Sequence, residues 1–322
     1  MQRYFGVDIG GTNVVVGIVC ADGTVQDKES FPTAAPRPAA ALSGDIAAAC
    51  CRLMERNGLQ AADFACVGAA CPGLVAEGVV RSAVNLGFTC VDLRAVLEEC
   101  LQQQGLSLPA AVCNDANAAA LAEALVGAGR GCHSLAMVTI GTGIGGGIVM
   151  NGRIVEGVNG AAAEIGHITV EPNGEPCGCG KRGCLEAYCS ARSLIRETRI
   201  AMARYPESAL WQVAGDLSGV NGYTVFAAMD QGDAAAQGVF DAFVARFAVG
   251  VTDVITLLQP EVLCIGGGMS AQGDRLVRPI AELVMQDPLL HSLPGKTRIV
   301  PAALQNDAGV IGAALHAAQE GA

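Results

Sequence analysis

Charge is scarce in this sequence, and basic charge is scarcer still. Asp, Glu, Lys and Arg make up 16% of the 322 residues, against 51% apolar ones, a balance that excludes an intrinsically disordered chain. Lys and Arg number 20 against 31 Asp and Glu, for a net charge of −11, and no basic run gathers them. A nucleic-acid binder draws its affinity from neutralised phosphates, so nucleic acid is not an expected partner. The opening MQRYFGVDIGG lacks the charged region, apolar stretch and cleavage site of a signal peptide. No apolar run reaches the ~18 residues of a membrane-spanning helix. The expectation is a cytoplasmic protein without a membrane partner, long enough for two modest domains and a sizeable core. In that compartment most of the fourteen cysteines stay reduced, with Cys20, Cys66, Cys113 and Cys264 as small core residues in strand-like runs.

Glycine, by contrast, is abundant, with 42 residues. It clusters beside β-branched runs, as in VDIGGTNVVVGIV and MVTIGTGIGGGIVM, where it marks close backbone approach rather than a flexible linker. Strands are predicted over 3–9, 13–20 and 24–31, with Asp22-Gly23 as a hairpin turn. A helix over 38–57 stops at Gly58, and 64–70 reads as a buried strand. A helix over 92–104 has Asp92 as N-cap and Gly105 as its stop. A strand at 110–113 leads through Asn114-Asp115 into an Ala-rich helix ending near 126. The opening pattern then recurs: Gly10 corresponds to Gly141, Gly17 to Gly147, and Asp22-Gly23 to Asn151-Gly152. This repeat predicts two related α/β lobes, each beginning with a three-stranded meander. Further helices are expected over 190–204, 222–230, 233–258 and 307–319, with a strand and Gly turn at EVLCIGGGMS.

Three Gly-rich turns follow apolar strands: Gly10-Gly11-Thr12-Asn13, Gly141-Thr142-Gly143 and Gly266-Gly267-Gly268. Turns without Cβ atoms let N–H groups converge on anionic oxygens, and their recurrence points to nucleotide phosphates. None fits the P-loop or the complete dinucleotide fingerprint. Asp8 closes the first strand, where a carboxylate can hold Mg²⁺ against phosphates. Asp115 heads a helix and has two readings: a cap, or a base that takes a hydroxyl proton during phosphoryl transfer. Asn85, Asn114, Glu164, His167 and Glu186 offer the amide, carboxylate and imidazole partners that a polyhydroxylated sugar requires, while each taken singly reads equally well as a structural residue. His167, Cys177, Cys179 and Cys184 form a compact His-Cys₃ set, the donor set of a closed structural Zn²⁺ site with no position left for water.

Taken together these motifs resemble the ROK family (repressors, open reading frames, kinases), and within it the glucokinase-like sugar kinases. The resemblance rests on DIGGTN at 8–13, NDANAAALAEA at 114–124, IGTGIGGGI at 140–148, EIGHITVEPNGEPCGCGKRGCLEAY at 164–188 and IGGGMS at 265–270. It implies a two-lobed, actin-like ATPase (ribonuclease H-like) α/β fold with an interlobe cleft and a zinc-binding loop at 167–184. The expected lobes are 1–114 plus 303–322, and 115–302. By the same resemblance Asp115 is the catalytic base; Asn85, Asn114, Glu164, His167 and Glu186 contact the sugar; Gly11, Thr12, Thr142 and Gly143 face the phosphates; and Gly267 faces the adenosine. The expected activity is ATP-dependent transfer of a phosphoryl group to a hexose, glucose first. N-acetylmannosamine, fructose and allose are alternative substrates, and a non-catalytic sugar sensor is the alternative from another class. The resemblance also suggests a dimer or tetramer.

Two residues depart from the family pattern. Ala163 stands where Gly is common and is expected to crowd the sugar loop; Cys189 stands where Ala is usual. The family's repressors carry an N-terminal helix-turn-helix, for which a first strand near Tyr4 leaves no room.

Overall fold

The computed structural model describes residues 2–321. They form two compact units: 1–135, 147–163 and 303–322 make up unit 1, and 136–146 with 164–302 make up unit 2.

Unit 1 opens with the meander β1 (Arg3–Ile9), β2 (Asn13–Cys20) and β3 (Val25–Pro32), followed by α1 (Ala39–Asn57). The helix ends as expected at Gly58, in the left-handed conformation at φ 64°, its N–H bonded back to the last turn. Strand β4 (Phe64–Cys71) then lies parallel to β1. A small antiparallel sheet follows, β5 (Leu74–Ala76), β6 (Val79–Ala83) and β7 (Phe88–Asp92). Sequence reading misses it because its strands are short and lack a repeated apolar alternation. Helix α2 (Leu93–Gln103) is capped by Asp92, which accepts from Ala95 N–H at 3.0 Å. Strand β8 (Ala110–Asn114) runs parallel to β4 and leads into α3 (Asp115–Leu125).

The chain continues through β9 (Ser134–Ile140), β10 (Ile144–Met150) and the two-residue β11 (Arg153–Ile154). Asn151 and Gly152 both take positive φ, 53° and 75°, as a two-residue hairpin turn requires. Unit 2 then adds α4 (Glu186–Cys189), α5 (Ala191–Arg204), α6 (Ala209–Ala214), α7 (Thr224–Met229) and the long α8 (Ala234–Leu258). Strand β12 (Val262–Gly266), α9 (Asp274–Val284), α10 (Pro288–Ser292) and β13 (Arg298–Pro301) complete it. Helix α11 (Ala308–Glu320) belongs to unit 1.

The two large sheets have the orders β3-β2-β1-β4-β8 and β11-β10-β9-β12-β13. Each is a sequential three-strand meander extended from its first strand by two later strands, which is the repeat seen in the glycine spacing. Strand β13 and helices α6 and α10 carry no sequence signal strong enough to predict.

In unit 1, α1 and α2 pack on one face of the first sheet around Phe5, Ile46, Leu53, Leu97 and Leu101. On the other face α11 approaches unusually closely. A Cβ on Gly68 of β4 would overlap Ala313 O, and one on Gly312 of α11 would overlap Ala118 O of α3. Backbones meet this closely only where glycine removes the side chain.

That contact also moves the expected lobe boundary. The sequence division at 114/115 assigns α3 to the second lobe, but α3 packs on α11 and belongs with unit 1, as does the 147–163 segment. In unit 2 the apolar face of α8, with Phe240, Phe243, Phe247, Val251 and Ile255, is the centre of the core. Cys189 joins this core: it is fully buried, its thiol donates to Phe243 O at 3.6 Å, and burial pushes its pKa up. A small apolar residue satisfies the position.

Ala163 adopts φ 63°. An alanine there carries backbone strain that glycine would avoid.

Candidate active site

In unit 1 the polar residues gather where the parallel strands end. Asp8 lies near the end of β1 and Asp115 at the first position of α3. Asn114 takes the cap: its Oδ1 accepts from Ala116 N–H at 2.9 Å and Asn117 N–H at 3.1 Å, while its Nδ2 donates to Gly73 O at 2.8 Å. Asp115 Oδ1 also accepts from Ala116 N–H at 2.9 Å. Since Asn114 supplies the cap, the carboxylate of Asp115 is not required for it.

Burial raises the pKa of Asp115, opposed by hydrogen bonds from the helix N-terminus. Burial and then the charge of Asp115 push Asp8 up to about 6. A Cβ on Gly309 would overlap the Asp8 carboxylate, so α11 closes one side of that group.

The turn Gly10–Asn13 is closed by Gly10 N–H donating to Asn13 O at 2.9 Å. Thr33, unremarked in the sequence, braces it from β3's exit: its hydroxyl donates to Gly10 O at 2.6 Å and its N–H to Thr12 O at 2.8 Å. Gly11, Thr12 and Asn13 remain exposed. Asn85 sits beside this turn, its Cβ 3.8 Å from where a Cβ on Gly11 would stand.

In unit 2 the second and third Gly turns come together, because Gly267 abuts the backbone of Ile140 at the end of β9. Glu164 and His167 are one 3₁₀ turn apart, with His167 Nε2 at 3.8 Å from Glu164 Oε2. The other ring nitrogen, Nδ1, lies 3.6 Å from Cys177 Sγ.

Cys179 and Cys184 sulfurs are 3.7 Å apart, and the four donor atoms of His167, Cys177, Cys179 and Cys184 all lie within 4.8 Å of one another. Sulfurs bound to zinc at about 2.3 Å in a tetrahedron stand ~3.8 Å apart, so the donor set and its spacing fit the ion. The backbone N–H of Lys181 holds the Cys179 thiol below its ordinary value, while burial raises those of Cys177 and Cys184. Lys181 Nζ, another residue the sequence did not single out, donates to His167 O at 2.7 Å and fixes the backbone of that ligand. Glu186 completes the group, with Oε2 accepting from Ile144 N–H at 2.9 Å and Oε1 at 3.7 Å from Cys177 Sγ.

The sequence-selected residues thus fall into two sets. Asp8, Gly10–Asn13, Asn85, Asn114 and Asp115 lie in unit 1, and Gly141–Gly143, Glu164, His167, Glu186, Gly266 and Gly267 with the cysteine cluster lie in unit 2.

Comparison with known proteins is consistent along nearly the whole chain. The ROK family model matches residues 4–320. A glucokinase of Halalkalibacterium halodurans is 39% identical over 96% of this chain and 93% of its own length. A glucokinase of Thermotoga maritima is 36% identical over 97% of this chain and 96% of its own. The crystal structure of a ROK family glucokinase from Streptomyces griseus, solved in complex with glucose and AMPPNP, superposes with a TM-score of 0.80 at 32% identity, covering 99% of this chain and 100% of that one. The α/β architecture is the actin-like ATPase fold expected from the motifs. On the matched motifs, the strand orders and this similarity, the chain belongs to the ROK family.

Proposed function

We propose that this protein is an ATP-dependent glucose kinase that moves the γ-phosphoryl group to the 6-hydroxyl. The observation that carries the reading is Asp115. It stands at a helix head where Asn114 already provides the cap, near a second half-buried carboxylate, Asp8, in a chain similar to glucokinases over nearly its full length.

In this reading Asp115 accepts the proton of the attacking hydroxyl. Phosphoryl transfer depends more on positioning than on a strong base, so a carboxylate hydrogen-bonded to Ala116 N–H is adequate. The Gly10–Asn13 and Gly141–Gly143 turns face the phosphates with backbone N–H groups and the hydroxyls of Thr12 and Thr142. Gly266 and Gly267 take the nucleoside end. Asn85, Asn114, Glu164, His167 and Glu186 hold the sugar hydroxyls. In this reading Asp8 holds Mg²⁺, which when bound offsets phosphate charge; a carboxylate whose pKa is raised by burial and by the charge of Asp115 suits a cation. His167, Cys177, Cys179 and Cys184 are the residues placed to hold a structural Zn²⁺, which when bound ties the loop together.

A reducing, cytosolic setting, in which the cysteines stay thiols, is the proposed compartment. No helix among the described residues is long and apolar enough to cross a membrane. A homodimer or homotetramer is the proposed assembly.

A coupled assay with ATP and Mg²⁺ across glucose, N-acetylmannosamine, fructose and allose tests the reading. Glucose-dependent ADP release with the highest kcat/KM for glucose is expected. A higher kcat/KM for another sugar would displace glucose, and normal turnover in Asp115→Asn would remove the base assignment.

A further inference from the structure

The Gly141–Gly143 turn is held from outside by the chain that leaves the cysteine cluster. Just after Cys184, Glu186 Oε2 accepts from Ile144 N–H at 2.9 Å. A little further on, Ala191 N–H donates to Gly141 O at 2.9 Å. Within the turn, Gly141 N–H bonds to Gly143 O at 2.9 Å. Two of the four N–H groups from Gly141 to Ile144 are therefore committed. Those of Thr142 and Gly143 have no acceptor among the described residues. A Cβ on Gly143 would overlap Glu186 Oε2, so carboxylate and turn are in direct contact. The remaining oxygen, Oε1, is 3.7 Å from Cys177 Sγ, which joins the same side chain to the cluster.

We infer that Glu186 is a positioning residue for the nucleotide: it fixes which N–H groups of the Gly141–Gly143 turn face outward and makes that geometry depend on the integrity of the His167–Cys184 cluster. The inference rests on the kinase reading, in which this turn faces the phosphates. It gives Glu186 a task distinct from holding sugar, since Oε2 is already engaged and only Oε1 is left for a hydroxyl. The two ends of the cluster matter unequally for this coupling. Cys184 sets where the Glu186 backbone begins, and Cys177 sets what Oε1 packs against.

Calorimetric titrations of the full chain with AMPPNP alone and with glucose alone separate the roles. Losing the hydrogen bond in Glu186→Ala is expected to weaken AMPPNP binding about tenfold in the absence of sugar, in addition to whatever glucose affinity is lost with Oε1. Glu186→Gln, whose amide oxygen still accepts from Ile144 N–H, is expected to keep AMPPNP affinity near wild type. Wild type stripped by a chelator, with metal content measured, is expected to show the Glu186→Ala nucleotide defect. It is also expected to show faster amide hydrogen exchange over 141–144, a readout that needs neither a variant nor turnover.

Glu186→Ala that loses glucose and keeps AMPPNP would overturn the inference and leave the kinase reading standing. Stripped wild type with unchanged AMPPNP affinity and unchanged exchange would do the same. Wild type that binds glucose but no AMPPNP would overturn the kinase reading itself, and the inference with it.

Discussion

Glu123 accepts the backbone N–H of Leu304 at 2.7 Å across most of the length of the chain. Its other oxygen accepts from Ala128 N–H at 2.8 Å, and the side chain is fully buried. One carboxylate thus ties the end of α3 to the segment that enters α11, whose Gly309 lies against Asp8. Glu123→Ala leaves two part-buried N–H groups without their acceptor and is expected to cost about 2–4 kcal/mol. Glu123→Gln keeps one acceptor and is expected to cost about half as much. Urea unfolding followed by circular dichroism measures both, and equal stability in all three proteins would show that water replaces the carboxylate without penalty.

Zinc is expected to be a stability requirement of unit 2. Purified protein should carry one zinc per chain, and removing it should lower the melting temperature. Cys184→Ser should behave like the stripped protein, since Cys184 is buried and a hydroxyl is a poor zinc donor. Metal analysis with thermal scans before and after chelation provides the check. Metal-free protein with an unchanged transition would mean that the cysteines are held by packing and hydrogen bonds alone.

Much of this architecture was legible in the sequence because it is written in local signals. Gly58 stops α1 by its φ, Asp92 and Asn114 cap α2 and α3, and Asn151-Gly152 turns a hairpin. The His167–Cys184 cluster was legible because its four donor residues lie close together in sequence, in a pattern of one His and three Cys suited to a metal. The braces were not. Thr33, Lys181 and Glu123 act through hydrogen bonds to backbone groups distant in sequence or masked by loops, and no residue spacing announces such a bond. The lobe boundary was missed for the same reason. Whether α3 belongs to one unit or the other depends on its contact with α11, at the far end of the chain.

The pH response of the ligand-free protein should expose Asp8. Its folded pKa of about 6 exceeds the ordinary 3.8, so the folded state binds this proton more tightly than the unfolded chain does. The stabilising contribution is complete below the ordinary value and is lost as pH rises through about 6. Asp8→Asn removes the buried charge and is expected to stabilise the protein above pH 7 by on the order of 2 kcal/mol, with little effect near pH 4. Melting temperatures from pH 4 to 8, without Mg²⁺ or nucleotide, provide the comparison. A gap between variant and wild type that stays constant with pH would exclude Asp8 as the titrating group.

Ala163 offers the converse case, a gain by substitution. At φ 63° its Cβ crowds its own backbone, which costs an L-residue roughly 1 kcal/mol that glycine avoids. Glycine also gains freedom in the unfolded chain, which offsets part of that relief. Ala163→Gly is therefore expected to stabilise the protein by about 0.5 kcal/mol and to raise the melting temperature slightly. Because Ala163 immediately precedes Glu164, relief of the strain should appear in the KM for glucose more than in the KM for ATP. Denaturant titration and the two KM values measure these effects. A destabilised Ala163→Gly would mean that the alanine methyl makes packing contacts worth more than the backbone strain, and that this departure from the family pattern is held in place by its surroundings.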